Sequence, residues 1–123
     1  MDKSTTIELI DFILESIRLI NRRFKSIKSS DDFLDSDEGL DKLDAISMRI
    51  QAIGEALKNL YKREDELLLK VADKNYWSRI IKTRDFISHH YVDIDSETVF
   101  DICSNELTEL EMKVMEIKDS LNS

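Results

Sequence analysis

No proline occurs in the 123 residues, and only two glycines, Gly39 and Gly54, are present. A chain so poor in turn formers cannot supply the frequent tight turns of a β-sandwich or barrel. Long helices with few connections remain, and the apolar spacing agrees. Ile7, Ile10, Leu14, Ile17, Ile20 or Asn21, Phe24 and Ile27 recur every three or four positions, the stripe of a first helix over residues 5–28. Thr5 with Glu8 predicts a capping box at its start. Residues 29–39 are polar and acidic and read as a connection, with a helical turn carrying Phe33 and Leu34 inward. A second helix is predicted over residues 40–62, where Leu43, Ile46, Ile50, Ile53, Leu57 and Leu60 form a near-heptad seam. Gly54 interrupts that seam at a cost of about 1 kcal/mol relative to alanine, and tight helix packing is the reading it favours. Residues 64–71 read as a short helix or turn.

A third helix is predicted from Asn75, carrying Trp77, Ile80 and Ile81 and continuing towards Phe86 and Ile87. Asp93-Ile94-Asp95-Ser96 reads as a break and an N-cap. The last helix covers residues 96–121 with the stripe Val99, Cys103, Leu107, Leu110, Val114, Ile117 and Leu121. Four main amphipathic helices, with a short extra one, predict an all-α antiparallel bundle forming a single domain over residues 1–123.

Composition narrows the setting. The lone cysteine, Cys103, excludes an internal disulfide framework and fits a reducing compartment. No apolar run approaches the roughly 20 residues needed to cross a membrane. The N-terminus lacks a secretory pattern, so a cytoplasmic location is expected. The formal charge of −8 disfavours an ordinary nucleic-acid binder. The charge is uneven, however. Residues 58–84 hold eight basic side chains against four acidic ones, net +4, whereas the rest of the chain holds ten against twenty-two, net −12. Solvated helix faces are the plainer account of that run on charge alone.

Chemistry-bearing residues are scarce. The two histidines, His89 and His90, are adjacent, so on a helix they diverge by about 100° and do not share a metal easily. No Glu-x-x-His or His-Glu-x-x-His pair exists, which argues against a di-iron bundle or a zinc peptidase. Two isolated glycines cannot build a phosphate-cradling loop. No cofactor and no metal are expected.

What remains is Lys82-Thr83-Arg84-Asp85-Phe86-Ile87-Ser88-His89-His90-Tyr91. Arginine offers a charged fork matched to phosphate oxygens. Histidine moves a proton near neutral pH. Tyrosine supplies a hydroxyl and a stacking ring. A helix end with polar caps is the bland alternative. Arg84 and His89 are five positions apart, about 140° of net rotation and about 7.5 Å of rise on a regular helix. Three arrangements could unite them: a distorted helix, an arginine that wraps round, or a second chain that supplies the other half. A two-fold dimer would place two copies of the pair around one cleft and double the local basic patch.

The spacing Arg84-x4-His89-x-Tyr91 resembles the signature of the HEPN superfamily, and more narrowly the HepT-type toxins of HEPN/MNT toxin–antitoxin pairs. Other landmarks follow in order. Ile53-Gly54-Glu55-Ala56 resembles the family's Gly-Glu-Ala element on the second long helix. Trp77 with Ile80 resembles the segment before the arginine. Tyr91-Val92-Asp93-Ile94-Asp95 resembles the exit from the motif, with Val99 continuing into the final helix. These landmarks cover residues 43–110. The family often has asparagine after the arginine, where this chain has Asp85. His90 occupies a variable position and is assigned no catalytic role.

The resemblance implies a metal-independent ribonuclease in which the RNA 2′-hydroxyl attacks the adjacent phosphate, leaving a 2′,3′-cyclic phosphate. It implies His89 as general acid or base and Arg84 as the stabiliser of phosphoryl charge, with Asp85 able to orient either. It also implies a homodimer with the cleft at its interface, and an MNT-type nucleotidyltransferase antitoxin that transfers AMP from ATP to Tyr91. Two other readings stand beside it. One is a non-catalytic HEPN-like module that binds a nucleotide or partner. The other is an unrelated helical interaction protein whose stripes simply pack a core.

Overall fold

A computed structural model of the chain describes residues 3–89 and 95–122, which are helices and connections without strands. Helix α1 spans Lys3–Phe24. A 3-10 turn, Ser30–Phe33, leads into α2, Asp37–Leu69. Helix α3 spans Lys74–His89. Helix α4 (Ser96–Asp101), a π-helical segment (Ile102–Glu106) and α5 (Leu107–Asn122) then follow end to end as the fourth rod. Cross-helix contacts fix the directions. Arg49 meets Ser16 and Lys42 meets Ser26, so α1 and α2 are antiparallel. Lys118 meets Asp11 and Phe100 meets Phe24, so α1 and the fourth rod are antiparallel too.

The α1 stripe is rotated from the expected one. Ile10, Ile13, Ile17 and Ile20 are fully buried, with Thr6 and Ser16 beside them, whereas Ile7 and Leu14 sit half-buried at its edges. Ile13 is the centre because the isoleucines at 10, 13, 17 and 20 step by three, four and three, the spacing of one helix face. Thr5 is not a cap: the helix already runs from Lys3, so Thr5 lies inside the first turn.

In the 3-10 turn Phe33 is buried but Leu34 is 54% exposed, against the expectation that both point inward. A tight turn rotates successive side chains far apart, so two neighbours cannot share one face. Phe33 packs on Phe24 at a centroid distance of 6.3 Å. Asp32 closes the turn by accepting from the Lys28 and Ser29 amides at 2.7 and 3.3 Å.

Helix α2 begins earlier than expected, and its first segment reaches a kink at Glu64, close to the expected end. Ser36 is its N-cap, and its hydroxyl accepts from the Gly39 amide at 3.0 Å. Glu64 breaks the helical backbone (φ −137°, ψ 44°), and a short second helical segment follows to Leu69, in keeping with the short helix or turn expected over residues 64–71. All six seam residues of α2, Leu43 to Leu60, are buried.

Gly39 is required by a close approach. A Cβ at that position would lie 2.2 Å from the Asp32 carbonyl oxygen and 3.0 Å from that of Phe33. Backbone cannot retreat as a flexible side chain can, so Gly39→Ala should destabilise the protein by about 1–3 kcal/mol, read as a lower urea midpoint. An unchanged midpoint would contradict this packing.

The cap of α3 is Asp73, whose carboxylate accepts from the Tyr76 amide at 2.8 Å. Asp95 caps α4, accepting from the Glu97 amide at 3.0 Å and the Thr98 hydroxyl at 2.9 Å. Those bonds, the hydroxyl's above all, hold its carboxyl below the usual range. Cys103 is buried as expected, and desolvation pushes its thiol up to about 12. Among the described residues no helix is long and apolar enough to cross a membrane.

Candidate active site on the third helix

Helix α3 is held at both ends of its length by the rest of the bundle. Trp77 is fully buried, and its indole N–H donates to the carbonyls of Leu68 (2.9 Å) and Ala72 (3.1 Å). One shared donor therefore pins the start of α3 to the end of α2 and to the turn between them. Further along, Ile80 and Ile87 are buried. Arg79 forms an ion pair with Glu106 of the π-helical segment. Between them stands Tyr76, with the Arg79 guanidinium 5.4 Å and the Lys113 ammonium 4.9 Å from its ring centre. Its hydroxyl is buried without a hydrogen bond, and burial first, then the Glu109 charge, pushes the phenol up to about 12. Tyr76 stays neutral at physiological pH and acts as a wedge between α3 and α5.

The motif residues take their places on this anchored helix. Arg84, Asp85 and His89 all lie on α3, and α3 remains α-helical through residue 89. A distorted helix is therefore not what unites Arg84 with His89. Position 84 falls in the register of Ile80 and Ile87, the face turned to the bundle, and position 89 lies about 140° round and about 7.5 Å further on. Position 89 instead shares a register with Lys74, Ser78, Lys82 and Asp85, at steps of four, four, three and four. Asp85 is half-buried. The side chains of Arg84 and His89 lie outside the described residues, as do His90 and Tyr91 altogether.

A narrow apolar recess lies between α2, α3 and the fourth rod. Gly54 of α2, Ile80 and Thr83 of α3, Ile102 of the π-helical segment and Leu110 of α5 line it. Gly54 is buried there, at the meeting of three helical rods. The π-helical segment was not foreseen from the sequence. Its only trace is that Val99, Cys103 and Leu107 step by four twice, which drifts off a 3.6-residue face and needs an extra residue to stay in register. Among the described residues no group of three His, Cys, Asp or Glu side chains is placed to hold a metal.

Residues 13–117 match the model of the HepT-like family, described as ribonuclease HepT-like. The chain belongs to the HepT-like ribonuclease family. The match encloses α3 and the whole Arg84-x4-His89-x-Tyr91 motif, so the HepT-like family resemblance extends well beyond those three residues. A Methanocaldococcus jannaschii protein, named as a gamma-glutamylcyclotransferase and a candidate RNase, is 29% identical over 113 residues. That alignment covers 92% of this HepT-like chain and 47% of the relative, so the chain spans about half the relative's length. No solved structure matches it.

Proposed function

We propose that this HepT-like chain is a metal-independent endoribonuclease, the toxin of a toxin–antitoxin pair, working as a homodimer with a composite Arg84/His89 site. The observation that carries this reading is the family match over residues 13–117, which encloses the motif, with positions 84 and 89 on one unbroken helix. An unbroken helix turns positions 84 and 89 to different faces, and a two-fold partner is the simplest way to bring an arginine and a histidine to one phosphate.

In this mechanism the RNA 2′-oxygen attacks the neighbouring phosphorus while His89, or its copy in the partner, removes the hydroxyl proton. The bond to the 5′-oxygen breaks, that oxygen takes up a proton, and a 2′,3′-cyclic phosphate remains. Arg84 stabilises the charge that grows on the non-bridging oxygens. Asp85 orients one of these two groups.

Regulation is assigned to Tyr91. An MNT-type nucleotidyltransferase antitoxin would join the tyrosine oxygen to the α-phosphorus of ATP, with pyrophosphate leaving and the phenol proton passing to solvent. The added phosphate and nucleoside bring negative charge and bulk to the place where substrate phosphate binds. The activity test is incubation of the purified protein with total RNA in EDTA, with His89→Ala as control. The regulatory test is mass spectrometry after co-expression with the antitoxin, which should show AMP additions on Tyr91. Unmodified Tyr91 beside an active partner would overturn that step.

A further inference from the structure

The polar face of α3 carries two exposed lysines in register with position 89. Lys42, Lys113 and Lys118 are each paired with a carboxylate, of Glu38, Glu109 and Asp11 respectively. Lys74 and Lys82 are exposed and, like Lys25, Lys28, Lys58, Lys62 and Lys70, have no ion-pair partner among the described residues. They lie on the same helical stripe as Ser78, Asp85 and position 89. Lys82 is about 10 Å and Lys74 about 22 Å along the axis from position 89. This stripe belongs to the stretch that is net +4 in a chain that is otherwise net −12. Of the exposed unpaired lysines, these two lie on the helix that carries the motif, where a polyanion reaching position 89 would pass.

We propose that the Lys74–Ser78–Lys82 face of α3 is a track for the backbone of a single-stranded RNA, leading one arm of the substrate along the helix to position 89. This inference rests on the ribonuclease reading and adds to it where the substrate lies beyond the scissile phosphate. The lysines act as point charges on phosphates and carry no base preference. Ser78 can donate to a phosphate oxygen between them. The carboxylate of Asp85 interrupts the positive run beside the motif, so the track holds RNA more firmly away from the cutting point than at it.

The test uses full-length protein and a fluorescein-labelled, unstructured RNA of about twenty nucleotides. In a His89→Ala background, which keeps the RNA intact, binding is followed by anisotropy from low to high NaCl. Each single-strand phosphate contact contributes about 0.7 to the slope of log K against log salt, so Lys74→Gln with Lys82→Gln should lower that slope by about 1.4. Affinity near physiological salt should fall about tenfold. Lys74→Arg with Lys82→Arg should restore both.

With His89 present, the glutamine pair should raise KM on the long RNA and leave kcat unchanged. A dinucleotide too short to reach Lys82 should be cut equally by both proteins. An unchanged slope and an unchanged KM on the long RNA would overturn the track while leaving the ribonuclease reading in place. Lysine-dependent binding by a protein that cuts no RNA would support the track and overturn the nuclease. Failure of the His89→Ala protein to bind RNA at all would overturn the track.

Discussion

His89→Ala should lower RNA cleavage by about 10²–10⁴-fold, the usual contribution of a positioned general acid or base. That loss corresponds to about 3–5 kcal/mol of transition-state stabilisation. The fold should survive intact. Position 89 is the last described residue of α3, beyond the buried Ile87, and alanine is a better helix former than histidine. Far-UV circular dichroism and the urea midpoint should therefore match those of the unsubstituted protein. Cleavage undiminished by the substitution would place the chemistry elsewhere, or in a contaminant. The composite site has its own signature. Arg84→Ala and His89→Ala proteins, each inactive alone, should regain activity when denatured together and refolded. Only a mixed dimer places an intact arginine and an intact histidine at one phosphate. A mixture as inactive as its components would mean that each chain uses its own pair.

Much of the bundle was legible because burial in helices follows spacing. The α2 seam from Leu43 to Leu60 and the last stripe from Val99 to Ile117 are buried as their periods require. The errors share one cause, which is that local patterns do not know their neighbours. Ile7 and Ile13 are equally apolar, and only the position of α2 and α5 against α1 decides which of them lies at the centre. Thr5 and Glu8 form a sound capping pattern, yet the helix extends past it.

The site was legible to a different degree. The motif stands out because histidine is rare here and because arginine, histidine and tyrosine fall within eight positions. The anchors of the helix that carries it were not visible. Arg79 and Glu106 are 27 residues apart, and nothing local marks either as the other's partner. The exposed pair itself adds little stability, about 0–1 kcal/mol. It orients α3 against the π-helical segment together with Tyr76.

Trp77→Ala should be the most damaging single change to stability, about 3–5 kcal/mol, read from urea unfolding followed by circular dichroism. Two losses combine. The fully buried indole leaves a void beside Tyr76, whose ring packs edge-on at 5.0 Å. The carbonyls of Leu68 and Ala72 lose the N–H that they share. Against a total stability of about 5–15 kcal/mol for a domain of this kind, such a loss can populate the unfolded state. Trp77→Phe separates the two contributions, because it retains most of the ring volume and removes only the donor. It should cost about 0.5–1.5 kcal/mol, the net worth of a hydrogen bond, because the Leu68 carbonyl still accepts from the Val71 and Ala72 amides. If phenylalanine proves as damaging as alanine, the bond that ties α2 to α3 outweighs the packing. If it proves harmless, those carbonyls find water and the indole serves by volume alone. Either way Trp77→Phe should cut RNA at the unsubstituted rate under folding conditions, because Trp77 anchors α3 seven residues before Arg84 and touches nothing that reacts.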